Sequence, residues 1–128
     1  MIDYFKVTSR LLGDPKVYGI AASNVKKNSE PNEELARWRV EGEILSISKA
    51  IMGFRENAAT DEEALLHYKQ DRGINFALVA GANPGQVRTE MEEIRSMYVR
   101  MFEIAEIALT VRSQLIREKR GWLLPPPQ

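Results

Sequence analysis

Cysteine is absent from the chain, and histidine occurs once, at His67. The first absence excludes disulfide staples, thiolate metal sites and cysteine nucleophiles, and is compatible with a reducing compartment. The second leaves nucleophile–histidine–acid chemistry to a single imidazole in a helical LLHYK context, where a half-buried or surface histidine is the expected role. An excess of charge is missing too: eighteen basic residues balance eighteen acidic ones. No global field therefore holds a polyanion, and nucleic-acid binding would need a local basic patch or a ring of repeated subunits. No apolar run reaches the roughly 18 residues of a membrane span, and the opening MIDYFKVTSRLLGDP lacks the basic and apolar regions of a secretion signal.

What remains is the composition of one globular domain: 128 residues, 44% hydrophobic and 28% charged. Asp3 is a candidate N-cap for a short helix carrying Tyr4, Phe5, Val7, Leu11 and Leu12 on one side, ended by Gly13 and Asp14-Pro15. Lys16 to Asn28 shows no sustained period and suggests a short strand over Val17 to Ala21 followed by a polar loop. Residues 1–28 are thus expected to hold one short helix plus an irregular segment.

Helix punctuation returns at SEPNEELARW. Ser29 is the expected cap, Pro31 sits in the first turn, and Glu33 and Glu34 complement the positive end of the macrodipole. Leu35, Trp38, Ile44, Leu45, Ile47, Ile51, Met52 and Phe54 recur mostly at three- and four-residue steps, predicting an amphipathic helix to about Asn57. Gly42 and Gly53 weaken it and suggest close contact with another helix. TDEE at Thr60 to Glu63 is a capping box. The helix it opens carries Leu65, Leu66, Tyr68, Phe76, Ala77, Val79 and Ala80, is loosened at Arg72-Gly73, and stops at Gly81.

Asn83, Pro84 and Gln86 then supply a cap, a first-turn proline and a third-position glutamine, and no breaker follows before Gly121. A helix from Pro84 to Arg120 would be about 55 Å long. A compact chain of this length has a diameter near 36 Å. From Met97 to Val111, eleven of fifteen residues are apolar or aromatic. Polar Arg100, Glu103 and Thr110 fall on one narrow stripe with Ser96 and Arg117. A helix apolar over most of its circumference is either the centre of its own domain or packs on a second subunit as well. Its length favours the second, with Tyr98, Met101, Phe102, Ala105 and Leu109 as the interface. After Gly121 three prolines favour an extended arm over residues 121–128, presenting Trp122, Leu123, Leu124 and Pro125 to a neighbour.

The chemistry of catalysis finds little support. Glu103 and Glu106 lack the Glu-x-x-His partners of a carboxylate di-metal bundle, and GANPG lacks the Lys-Ser/Thr of a phosphate loop. No enzyme activity, metal or cofactor is expected. The stretch NFALVAGANPGQVRTEM resembles the core of the helix-turn-helix family, with Ala77, Gly81 and Val87 at the family's small, turn and packing positions. That resemblance implies base contacts by Gln86, Arg88 and Thr89 and a phosphate contact near Asn83. Glu90, Glu92 and Glu93 depart from it, making the supposed reading helix acidic.

The expected fold is all-α: a helical bundle over residues 1–120 with one very long C-terminal helix and an extended, proline-rich C-terminal arm. In layout, Pro84 to Arg120 with Gly121 to Gln128 resembles the small helical assembly proteins of tailed phages, the head-to-tail adaptors that ring the portal. The resemblance implies a non-enzymatic homo-oligomeric ring located in the virion, with a portal and neighbouring subunits as partners. The alternative, resembling a phage small terminase subunit, is a helix-turn-helix oligomer binding packaging DNA, and outside a virion the expected location is cytoplasmic.

Overall fold

The computed structural model describes the backbone of residues 4–25, 32–82 and 88–123, and within these the side chains of 4–25, 32–74 and 91–119. The described residues are all-helical, in five helices: α1 (Tyr4–Leu12), α2 (Pro15–Val25), α3 (Glu33–Glu56), α4 (Asp61–Ala82) and α5 (Arg88–Leu123).

The expected strand over Val17 to Ala21 is replaced by α2. Asp14-Pro15, which ends α1, also starts α2: the Lys16 amide donates to Asp14 Oδ1 at 2.9 Å, and the Tyr18 amide to the Asp14 carbonyl at 3.0 Å. Proline is preorganised for the first helical position and loses no bond there. Val17, Ala21 and Asn24 are then buried at helical spacing, so packing on one face outweighs the β preference of the β-branched residues.

Local chemistry shifts other boundaries. Asn32, in place of Ser29, caps α3, its side chain accepting from the Glu34 amide at 2.8 Å; Ser29 and Pro31 lie outside the described residues. Thr60 Oγ1 accepts from the Glu63 amide at 3.1 Å as the capping box requires, but Glu63 reaches back to the Ala59 amide, at 3.0 Å, instead of that of Thr60. Helix α4 passes unbroken through Arg72-Gly73 and Gly81. Helix α5 begins at Arg88 and continues through Gly121 and Trp122 to Leu123, 36 residues or about 54 Å. Glycine lowers helix stability by about 1 kcal/mol without preventing the helix. The first hard breaker is Pro125. Trp122 and Leu123 therefore belong to a helix and not to an extended arm, and Leu124 and Pro125 lie outside the described residues.

Helices α3 and α5 form the central pair. Each touches all four other elements, whereas among the described residues α4 meets neither α1 nor α2, so the α1–α2 hairpin lies on one side of the pair and α4 on the other. The core joins Val40, Ile44, Ile47 and Ile51 of α3 to Ile104, Ala105, Ala108, Leu109, Val111 and Leu115 of α5. Val7, Leu11, Val17 and Ala21 close it from one side, and Ala64 and Tyr68 from the other. Alanine at 105 and 108 puts little bulk between the neighbouring backbones.

Two polar ties fix α1. The buried Thr8 hydroxyl donates to the Tyr4 carbonyl at 3.0 Å and lies 3.0 Å from the Ser48 hydroxyl, so Ser48 supplies the proton of that second bond. Arg10 forms a bidentate pair with Glu118 at 2.8 and 3.1 Å, which holds the Glu118 carboxyl below its ordinary range. At the α3–α4 turn, Arg55 donates to Asp61 at 2.7 Å and to the Ala58 carbonyl at 2.9 Å, while Ser113 of α5 reaches Asp61 at 3.3 Å.

Several residues expected inside are outside. Phe5, Trp38 and Leu66 are 70%, 57% and 53% exposed, and Leu35 and Leu45 are exposed as well. Among the described residues Gly42 and Gly53 mark no contact with another helix: nothing beyond their own helix turn lies within 4 Å of where a Cβ would stand.

Truncating a central residue should test this arrangement. Ile104→Ala is expected to cost about 2–5 kcal/mol in urea unfolding, whereas Val99→Ala, at a site 57% exposed, should stay within about 0.5 kcal/mol of the parent.

Candidate interaction surfaces

Where α2, α3 and α5 meet, a polar knot interrupts the apolar core. Asn24, only 8% exposed, accepts from Arg100 Nε at 2.6 Å and donates through Nδ2 to the Met97 carbonyl at 3.2 Å and to Glu43 at 3.4 Å. Its amide is thus matched on both sides, which burial demands. Beside it, Ser23, Asn24, Glu92, Glu93, Met97 and Arg100 line a groove of about 400 Å³.

An aromatic ladder crosses from α3 to α5 through α4. The Phe54 and Tyr68 ring centroids are 5.8 Å apart, those of Tyr68 and Phe102 5.7 Å and edge-on, and Phe102 stacks on Tyr98 at 6.5 Å. Lys69 Nζ lies 5.9 Å from the Phe102 centroid and the Arg72 guanidinium 5.8 Å from that of Tyr68. Burial pushes the Tyr68 hydroxyl up from 10.0 to about 12; Arg72 pulls it down, and Glu43, Asp71 and Tyr98 add to the rise. Burial, and next the neighbouring Arg55, lower the Arg112 guanidinium from its ordinary value.

The expected α5 interface divides on this structure. Ala105 and Leu109, at 0% and 3% exposure, are enclosed by the chain's own helices and have no surface left for a neighbour. Tyr98, Met101 and Phe102 are half-buried, and the two rings belong to the aromatic ladder. The larger exposed apolar groups on α5 are instead Met97 and Val99. The side chains of Trp122 and Leu123 fall outside the described set, as do Leu124 and Pro125 altogether.

Of the DNA-reading set, Asn83 and Gln86 lie outside the described residues, and Arg88 and Thr89 are described by backbone alone, in the first turn of α5. Helices α4 and α5 meet at Asp61–Ser113 and again at Tyr68–Phe102. One partner advances as the other recedes, the pairing of an antiparallel αα-hairpin. A helix-turn-helix instead sets its two helices at about 90–120°.

His67 is half-buried on α4. Glu103 and Glu106 face outward beside Lys16, in a shallow groove with Ile107 and Thr110. Among the described residues no three of His, Asp or Glu converge as a metal-binding group, and no helix is long and apolar enough to cross a membrane. Comparison of the chain with protein-family models, curated proteins and solved structures returns no match.

Two features are not legible in the sequence. The knot at Asn24 lies in a segment without sustained period; once α2 is helical, Asn24 falls seven residues after Val17 on the buried face. The exposed row Leu35, Trp38 and Leu45 has the same helical spacing as the core row of its helix, so periodicity alone does not separate the two.

Two substitutions probe these clusters. Asn24→Ala leaves Arg100 and the Met97 carbonyl without that partner and should cost about 1–3 kcal/mol in chemical unfolding. For Tyr68, the folded chain keeps its phenol proton beyond the pH at which an unfolded chain releases it. Stability from this group is therefore complete below pH 10 and lost as pH rises to about 12. The loss amounts to roughly 2–3 kcal/mol, and Tyr68→Phe should remove it from the alkaline unfolding profile.

Proposed function

We propose that the chain is a non-enzymatic, self-associating assembly subunit that acts through its outer helical faces. The observation that carries this reading is the placement of large apolar side chains outside a core that is already complete. Phe5, Trp38, Leu66, Ile74 and Val99 are each more than half exposed, while the residues between α3 and α5 are closed to solvent. Where such side chains lie in a contiguous row on a folded domain, they support an interaction site.

The specific form we propose is a head-to-tail connector of the tailed-phage type, a homo-oligomeric ring in the virion that contacts a portal. Its support is layout: a helical bundle, one helix of 36 residues, and a proline-rich sequence after it. In this form the residues from Trp122 to Pro125 anchor the partner. The antiparallel pairing of α4 and α5 favours a structural corner between them over a DNA-reading one.

Light scattering on the purified protein at two salt concentrations, with and without duplex DNA, tests the proposal. A discrete multimer whose mass is indifferent to DNA is expected. A monomer under all conditions would remove self-association. A DNA-dependent mass that disappears in Gln86→Ala with Arg88→Ala would replace the connector by the DNA-binding oligomer.

A further inference from the structure

The outer face of α3 carries an ordered row of residues of which the bundle uses only the last, Met52, packed in part against its core. Leu35, Trp38, Gly42, Leu45, Lys49 and Met52 follow at steps of three, four, three, four and three, the a/d spacing of a coiled-coil seam. The row lies on the side of the helix opposite the buried Val40, Ile44, Ile47 and Ile51. Leu35, Trp38, Gly42, Leu45 and Lys49 are exposed, and Met52 is half-buried. Phe5 extends the row sideways: the neighbouring Tyr4 donates to the Leu45 carbonyl at 3.1 Å, and its ring centroid lies 5.4 Å from that of Phe5.

We propose that this seam is where a second copy of the chain docks, α3 against α3, antiparallel about a two-fold axis. The proposal rests on the reading that the chain self-associates, and it names the surface. What selects a second copy is the self-complementarity of the row. In an antiparallel register each a position meets a d position: Leu35 faces Met52 of the second copy, Trp38 faces its Lys49, and Gly42 faces its Leu45. The two-fold repeats all three pairs.

Each pair matches in size or charge. At Gly42 no atom beyond its own helix turn lies within 4 Å of where a Cβ would be, so the absent side chain leaves a hollow for leucine. The Lys49 stem lies along the indole, with its ammonium attracted by the ring and by Glu34 and Glu41, one turn either side of Trp38. The parallel alternative sets Lys49 on Lys49, Trp38 on Trp38 and Gly42 on Gly42, which gives repulsion, crowding and a void.

The exposed area is of a useful size. At roughly 200 Å² per aromatic side chain, the exposed parts of Phe5 and Trp38, 70% and 57%, amount to about 250 Å². That is nearly a third of the ~800 Å² each partner gives to a standard interface. An isologous contact saturates at two subunits, so the dimer is the building unit, and any larger ring uses a second surface.

The test is sedimentation equilibrium of the full chain and its surface variants, with circular dichroism to confirm folding. Trp38→Glu should weaken association at least tenfold, and Lys49→Glu should weaken it by a smaller factor. The combination Glu34→Lys, Glu41→Lys and Lys49→Glu restores the charge match and should return affinity to near that of the parent. Gln70→Glu, at an exposed polar site on α4, should change nothing. Association that survives both Trp38→Glu and Lys49→Glu would overturn this seam while leaving self-association intact. Failure of the triple variant to recover would overturn the antiparallel register, and a monomeric parent would overturn both the seam and the reading beneath it.

Discussion

Packing of α3 against α5 is the contact on which the other elements depend. The isoleucine row of α3 meets a stretch of α5 in which Ala105 and Ala108 alternate with Ile104, Leu109 and Val111. Packing there removes both helices' apolar rows from water, the main favourable term available to a chain without cysteine. The flanking elements attach to this pair: α1 and α2 on one side, α4 on the other, with no contact between the two flanks among the described residues. A change that separates α3 from α5 would leave α4 with at most one of the two helices it packs on.

The polar groups inside the bundle set geometry as much as they add stability. Asn24 joins three helices through one amide, and the Thr8–Ser48 pair fixes α1 against α3. Asp61 is held by Arg55 and Ser113, tying the α3–α4 turn to α5. A sliding of one helix along another would leave these groups unmatched in a poorly solvated interior, so each discriminates between the observed register and its neighbours. The aromatic ladder from Phe54 to Tyr98 does the same by shape.

Function, on this reading, belongs to what the core leaves over. Helix α3 has two apolar rows, and only one is needed to close the bundle. Helix α5 has a wide apolar circumference, yet four neighbours enclose most of it, and the acidic and hydroxyl stripe at Glu103, Glu106 and Thr110 faces water. On the proposed reading, the surface offered to a second copy is the outer row of α3, where Leu35, Trp38 and Leu45 are exposed.

The sequence by itself determined the helical class, the α3, α4 and α5 segments and the presence of the Thr60 capping box, because helical periodicity and capping are local properties. It also determined the exposed stripe of Ser96, Glu103, Thr110 and Arg117 on α5, but not the place of Arg100, which turns inward to the buried Asn24. It missed α2, whose helix comes from a cap and a proline that also end α1. It stopped α5 at Gly121, because the cost of one glycine is small beside the cooperative gain of a continuing helix. Tertiary structure alone decided which apolar residues are inside. Ala105 and Leu109 are enclosed while Trp38 and Phe5 are exposed, against their relative sizes. Burial depends on where neighbouring helices lie, and periodicity records only that a face is apolar, not what covers it.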